Sequence, residues 1–176
     1  LLEELRLWVE LADERLAGTG ARAYVIPGND DPWSIDAVLA SGTMVEACDE
    51  RVCQVGAHEM VSFGFANRTP WHTPRELDEE EIYSRLRALT DQLEKPQSAI
   101  FNIHVPPYDS TLDTAPQLDA ELAVRTSMGN QLTAPAGSTA VRDAIEAHQP
   151  LASLHGHIHE SGGSVRIGRT VAINAG

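Results

Sequence analysis

The sequence predicts an α/β fold in which short buried strands follow amphipathic helices. Apolar residues recur along residues 1–16 at the spacing of one helix face, and residues 23–26 then form a compact apolar run. Two further apolar runs, at residues 98–103 and 150–154, also follow helical patterns. A helix that leads into a buried strand is typical of a crossover unit, so we expect parallel pairing between strands.

Length and composition limit what this chain can be. With 176 residues we expect one domain, residues 1–176, with a core of useful size. Apolar residues make up 42% of the chain, but no apolar run approaches the roughly 20 residues of a membrane span, so we expect no membrane partner. Thirteen basic against 26 acidic residues give a formal charge of −13, which disfavours nucleic acid as a partner.

The two cysteines and two isolated histidines are assigned structural roles. Cys48 and Cys53 have a spacing that matches no zinc motif. We interpret them as reduced thiols of a cytoplasmic protein, packed in or near a strand. His58 and His72 stand alone in the sequence. Isolated histidines are more often surface or packing residues than ligands.

The first half of the chain continues with a short helix and a β-rich region. Ser34 is expected to cap a helix at residues 35–40. The runs at residues 52–55 and 60–65 are rich in β-formers. They predict a hairpin or meander, placed on a second sheet or at the edge of the first.

The next helix is predicted to begin at Asp78. Asp78 and Glu81 have the spacing of a capping box, and Leu77 and Ile82 have that of a hydrophobic staple. This capping explains the acidic run without a catalytic role. The apolar face of the helix is expected to consist of Ile82, Leu86, Leu89 and Leu93.

The second half of the chain contains a long insertion loop, residues 105–137, with four prolines and few large apolar groups. We expect one helix within it, near residues 118–125, and loops of this length often shape binding sites. Ser138 is predicted to cap the helix that follows. Residues 164–167 and 170–173 predict a closing hairpin.

A cluster of histidines follows the strand at residues 150–154. Residues two apart in a strand point to the same face, so His157 and His159 can aim at one point. Neutral imidazole is the commonest metal ligand among side chains. A surface loop rich in histidine is the alternative. His155 is interpreted as a strand-end or pocket residue.

Two other predicted strands also end in polar residues. Asn29, Asp30 and Asp31 follow the first strand, and His104 follows the strand at residues 98–103. Three such residues often form only a turn, but the carboxyl ends of strands in open α/β sheets are also where ligands bind. One amide oxygen with several imidazoles suits a transition-metal or zinc-like ion better than calcium or magnesium.

Three motifs occur in a characteristic order, namely Gly28-Asn29-Asp30-Asp31, His104 after a strand, and Gly156-His157-Ile158-His159. With them the chain resembles the calcineurin-like metallophosphoesterases over nearly its whole length. The Icc-like bacterial and archaeal branch of that family is similar to it at residues 137–142, 156–163, 167–170 and 173–176.

The resemblance implies a two-sheet α/β/β/α sandwich and a metal-dependent phosphoesterase. Members of the family use two divalent metals about 3.5–4 Å apart, which polarise the phosphate and hold a bridging hydroxide as the nucleophile. Position by position, Asn29, His104 and His157 would bind one metal and His159 the other. Manganese, iron or zinc are the ions expected. The substrate would be a small phosphomonoester or phosphodiester.

Two aspartates are the candidate catalytic residues under this resemblance. Asp30 stands where many members have a histidine that assists the leaving group or the phosphate. Its carboxylate would repel a phosphate unless it is protonated or metal-bound. Asp31 is expected to orient neighbouring groups.

The Asp-x-His and Gly-Asp elements with which the family begins are absent from this sequence. We therefore expect the chain to be the later part of the domain, without its N-terminal strands. Its sheet would be completed by an upstream segment or by another copy in a homo-oligomer. One alternative is a phosphoesterase-like module that binds metal or a partner without hydrolysis. Another is a protein that binds a single metal ion.

Overall fold

The computed structural model describes all 176 residues and has a mixed α/β fold. Its helices are α1 (Leu2–Leu16), α2 (Ile35–Leu39), α3 (Glu79–Thr90) and α4 (Thr139–His148). Its strands are β1 (Ala23–Val25), β2 (Val45–Ala47), β3 (Arg51–Val55), β4 (His58–Phe63), β5 (Ala66–Asn67), β6 (Glu76–Leu77), β7 (Ile100–Ile103), β8 (Thr114–Pro116), β9 (Thr126–Ser127), β10 (Asn130–Gln131), β11 (Thr133–Pro135), β12 (Ala152–His155), β13 (Gly163–Ile167) and β14 (Thr170–Asn174). No helix has both the length and the apolar character that crossing a membrane requires.

The largest sheet has six strands in the order β13-β14-β12-β7-β4-β3. The four inner strands are parallel, and β13 and β3 pair antiparallel at the two edges. The predicted parallel pairing is therefore confirmed. The hairpin predicted from residues 52–55 and 60–65 lies at the edge of this sheet, and the closing hairpin is β13 with β14.

One face of the six-stranded sheet packs against α3 and α4. Phe63, Phe101 and Ile103 project from the sheet and are fully buried. They share one core with the inner faces of the two helices, whose buried residues are Ile82, Leu86, Leu89, Ala140, Val141 and Ile145. Burying each large apolar side chain contributes about 1.5–3 kcal/mol. This core holds in place the parallel strands that lead to the histidines.

A second, smaller layer consists of the parallel pair β1 and β2 with α1 and α2. Val9, Val38 and Val45 are buried in its own core. The layer contacts the six-stranded sheet through Cys48, Cys53 and partners of theirs. The structure is thus of the α/β class, with a second sheet of only two strands.

The two cysteines are free and buried, as predicted. Cys53 lies on β3, and Cys48 directly follows β2. Burial, and next the neighbouring Cys48, raises the pKa of Cys53 to about 12. Burial also raises the pKa of Cys48. Because the thiolate is the reactive form of cysteine, both side chains act as packing groups.

The prediction of a helix near residues 118–125 is wrong. Leu118 and Val124 form an isolated antiparallel bridge, and the Asp119 carboxylate accepts hydrogen bonds from the backbone N–H groups of Glu121 and Ala123. An aspartate that binds nearby backbone donors offers the chain an alternative to the helix. This part of the predicted loop instead lies within an exposed β-rich arm, β8–β11.

Ser34 and Asp78 occupy the predicted N-cap positions of α2 and α3, but neither side chain makes the predicted capping hydrogen bond. Asp78 precedes α3 as predicted, but its carboxylate pairs with Arg68 rather than with the helix. The predicted cap of α4 is confirmed, because Ser138 Oγ accepts a hydrogen bond from the Val141 N–H at 3.2 Å.

The face of the large sheet that points away from α3 and α4 is partly open. Leu154 on β12 and Ile173 on β14 are register partners, and they are 39% and 38% exposed. They alternate along their strands with residues of the buried face, which places both side chains on the open face. Adjacent exposed apolar side chains on a sheet favour association with another surface.

We expect the 176-residue chain to self-associate through this face. Leu154→Ser combined with Ile173→Ser should reduce the association, because the variant lacks the apolar surface that association would bury. Light scattering during size-exclusion chromatography over a concentration series measures the effect. Leu151→Ser is the control, since Leu151 is 44% exposed but precedes β12. A monodisperse monomer that unfolds cooperatively would contradict the prediction.

Candidate functional site

Three residues that follow separate strands meet at one point. Asn29 follows β1, His104 follows β7, and His157 follows β12. His104 Nε2 lies 3.0 Å from Asn29 Oδ1, and His157 Nδ1 lies 2.9 Å from the same oxygen. Since β7 and β12 are parallel neighbours, both histidines emerge at the same edge of the sheet. The structure therefore brings together three of the four predicted ligands.

His104 is held through the backbone on both sides of it. His155 Nδ1 lies 2.9 Å from the Ile103 carbonyl and 3.0 Å from the Val105 carbonyl, and carbonyls only accept, so this nitrogen donates. The Gly156 N–H donates to the His104 carbonyl at 2.9 Å. His155 is the last residue of β12 and is buried, so it acts as a strand-end residue that positions His104.

His157 reaches the site through a turn rather than through strand alternation. Strand β12 ends at His155, and the Ile158 N–H donates to the Gly156 carbonyl at 2.8 Å. His157 itself has a φ of 68°, in the left-handed region that non-glycine residues rarely adopt. His159 then begins a short 3₁₀ turn and is exposed. The period of two that predicted a common direction therefore does not apply here.

The three residues lie in an open cleft of about 490 Å³. Asp30 is exposed and lines the cleft, as does His159. Asp31 also borders it, but its Oδ2 accepts a hydrogen bond from the Gly28 N–H at 2.8 Å. Asp31 thus stabilises the turn that presents Asn29, while the Asp30 carboxylate faces the cleft. The other wall is formed by Thr69, Trp71 and Thr73.

Sequence reasoning missed the segment that supports Asn29. The Arg75 N–H donates to the Asn29 carbonyl at 3.0 Å, and Arg75 Nε donates to the Asp31 carbonyl at 3.0 Å. The Arg75 side chain is 1% exposed, pairs with Asp36, and stacks on Trp33 at 4.2 Å. On the other side, Asn29 Nδ2 donates to Thr73 Oγ1 at 2.8 Å. No local pattern in the sequence marks these residues.

The histidines at the site are held in the neutral form. Burial, and next the neighbouring histidines, lowers the pKa of His104 to about 3. Burial also lowers the pKa of His157, although the charge of Glu76 opposes that shift. A neutral imidazole retains the lone pair that metal coordination requires.

The donor set fits one transition-metal or zinc-like cation. No group of three or more His, Cys, Asp or Glu side chains is placed to hold a metal ion, so a cation would depend on the Asn29 amide oxygen. That oxygen and the two imidazole nitrogens already converge, and such ions accept this ligand type. A cation would take the place of the two ring protons that face Asn29 Oδ1. For a second cation, the predicted ligand in this chain is His159 alone.

Comparison with known proteins finds one curated protein of similar sequence. No protein-family model matches the chain. The uncharacterized protein MJ1162 of Methanocaldococcus jannaschii is 32% identical over 152 residues, which are 85% of this chain and 61% of that protein. The chain thus spans less than two thirds of this curated relative.

Two solved structures share the fold at low sequence identity. One crystal structure has a TM-score of 0.59 and 19% identity, over 98% of this chain and 66% of its own. The crystal structure of TT1561 of Thermus thermophilus has a TM-score of 0.56 and 17% identity, over 98% of this chain and 83% of its own. The mixed α/β architecture is therefore one that occurs in solved proteins.

The position of His104 depends on the absence of a side chain at Gly28. A Cβ at Gly28 would lie 2.8 Å from His104 Cε1, so we expect Gly28→Ala to displace the ring. Zn²⁺ affinity, measured by calorimetry, should fall roughly tenfold or more, the scale seen when supports of a metal ligand are disturbed. Gly156→Ala is the control, because its Cβ would lie 3.9 Å from His104 Nδ1. Equal affinities of both variants would argue against this prediction.

Acid should weaken the fold through His155. Burial, opposed by the hydrogen bonds to Ile103 and Val105, lowers the pKa of His155 from 6.5 to about 4. Between these values the unfolded chain binds a proton that the folded chain does not, so the free energy of unfolding falls as the pH decreases. Denaturant unfolding across this window measures the loss. His155→Gln should have a shallower pH dependence, and an equally steep one would refute the assignment.

Proposed function

We propose that this chain carries part of the site of a metal-dependent phosphoesterase, which hydrolyses a phosphomonoester or phosphodiester. The observation that carries the proposal is the convergence of His104 Nε2 and His157 Nδ1 on Asn29 Oδ1. The three lie in a cleft that is also lined by His159. The resemblance to the calcineurin-like metallophosphoesterases supports it, because the same residues are the ligands that this resemblance implies.

The residues of this chain have distinct roles under the proposal. Asn29, His104 and His157 hold one divalent cation, and His159 contributes to a second. Bound there, such cations supply positive charge for the phosphoryl oxygens. The site fits this requirement, because its imidazoles are neutral and their nitrogens face a single oxygen. Asp30 lies at the cleft surface, where its carboxylate can accept a hydrogen bond from water.

The cations would also offset the repulsion between this negatively charged protein and a phosphate ester. The chain has a formal charge of −13, and Asp30 and Asp31 border the cleft. A phosphate ester would be repelled by this field unless positive charge is supplied locally. The proposal includes a small-molecule substrate, a cytoplasmic location, and the two-sheet sandwich in which β1 and β2 belong to a larger first sheet.

A second candidate is a module that binds one cation without hydrolysis. It is favoured by a specific observation, namely that only one amide oxygen and two imidazoles converge while no carboxylate joins them. Hydrolysis by two cations requires ligands for both. The two candidates differ in whether bound cation is accompanied by turnover.

Hydrolysis of an aryl phosphodiester by the full-length protein that contains this chain, with and without Mn²⁺, tests the proposal. We expect turnover that depends on Mn²⁺ and is abolished in the His157→Ala, His159→Ala double variant, because both predicted cation positions lose a ligand. His72→Ala is the matched control, since His72 is an exposed histidine outside the cleft lining.

The outcomes separate the two candidates. Full activity of the double variant would contradict the phosphoesterase mechanism. Calorimetric binding of Mn²⁺ or Zn²⁺ to the wild-type full-length protein without any turnover would support the non-hydrolytic module.

A further inference from the structure

Glu76 is a buried carboxylate that receives four hydrogen bonds from one loop. It is 5% exposed. The backbone N–H groups of Thr69 and Thr73 donate to it at 3.0 and 3.1 Å, and both threonine hydroxyls donate to it as well. Glu76 takes part in none of the ion pairs of the chain. It is therefore a buried carboxylate that receives its hydrogen bonds from neutral donors.

These hydrogen bonds have a defined direction. Burial disfavours the charged form of Glu76, but the bonds from Thr69 and Thr73 outweigh it, so the pKa of Glu76 is lowered. An ionised carboxylate only accepts. The single hydroxyl proton of Thr73 is consequently donated to Glu76, over 2.6 Å. Thr73 Oγ1 can then only accept from its other neighbour.

That other neighbour is the Asn29 side chain. Because Thr73 Oγ1 accepts, the Asn29 group that faces it at 2.8 Å must be the Nδ2 amino group. The amide oxygen then points the other way, toward His104 and His157. An amide turned by 180° would present two N–H donors to the histidines instead. It would offer no ligand to a cation.

We propose that Glu76 and Thr73 are positioning residues of the cation site, which fix the Asn29 amide so that its oxygen faces His104 and His157. The inference rests on the cation site of the proposed function. It adds outer hydrogen-bond partners to the site. The Glu76 carboxylate fixes the direction of the Thr73 hydroxyl, the hydroxyl fixes the orientation of the Asn29 amide, and the amide oxygen fixes the protonation of the two imidazoles. Outer partners of this kind commonly tune the affinity of a metal site.

The hydrogen bonds that run from Glu76 through Thr73 to Asn29 also determine which ring nitrogens of His104 and His157 carry protons when no cation is bound. Asn29 Oδ1 only accepts, so His104 donates from Nε2 and His157 donates from Nδ1. The two rings therefore have opposite tautomers. Ring ¹⁵N chemical shifts report these tautomers directly, and they need neither cation nor turnover.

Three variants test the proposal. Thr73→Val removes the acceptor for Asn29 Nδ2, and Thr73→Ser keeps it. Thr69→Val is the matched control, because Thr69 also donates to Glu76 but makes no hydrogen bond with Asn29. We expect Thr73→Val to lose the tautomer preference of both rings and to bind Zn²⁺ roughly tenfold or more weakly. Thr73→Ser and Thr69→Val should keep the wild-type tautomers and affinity.

The outcomes distinguish this inference from the proposed function. If Thr73→Val and Thr69→Val behave alike in both measurements, the segment has only a structural role and the proposal is overturned. If the wild-type chain binds no Zn²⁺ but Thr73→Val alone loses the tautomers, the positioning role stands and the proposed function fails. Circular dichroism and the thermal midpoint identify any variant that has not folded. If Thr73→Val does not fold, Thr73→Ala replaces it, because it also removes the acceptor for Asn29 Nδ2.

Discussion

A single oxygen atom, Oδ1 of Asn29, is the acceptor on which the geometry of the cleft depends. It receives hydrogen bonds from His104 and His157, which follow two parallel strands of the large sheet. Asn29 itself follows a strand of the smaller layer. The hydrogen bonds therefore tie the two layers together where their strands end. Because the oxygen has no proton to give, it also dictates the protonation of both rings. The packing of the two layers and the proposed binding of a cation therefore depend on the same amide.

Much of the fold follows from local periodicity. The apolar faces of α3 and α4 and the buried strands β7 and β12 were predictable, because burial imposes a regular spacing on the sequence. Caps and loops were less predictable, since they depend on which partner a side chain finds. Asp78 binds Arg68 instead of its own helix, and Asp119 closes a turn where a helix was expected. Such competition among hydrogen-bond partners leaves no period in the sequence.

The residues of the site likewise fall into those that the sequence predicts and those that it does not. Asn29, His104 and His157 were predictable because polar residues after buried strands collect at one edge of a sheet. Thr73 and Glu76 were not. Thr73 bonds to Asn29 from 44 residues further along the chain, and Glu76 acts on Asn29 only through Thr73, so no local spacing in the sequence encodes these bonds. Strand alternation correctly placed His157 and His159 in one cleft but for the wrong reason, since a turn intervenes. The metal-ligand roles of Asn29, His104, His157 and His159 remain predictions, as do the catalytic roles of Asp30 and Asp31.

The left-handed backbone of His157 has a consequence for how this site can change. A φ of 68° costs a residue with a Cβ of the order of 1 kcal/mol, whereas glycine adopts it without penalty. Selection for stability alone would therefore favour glycine at this position, and would erase an imidazole of the site in doing so. Retaining histidine sets local backbone stability against chemistry.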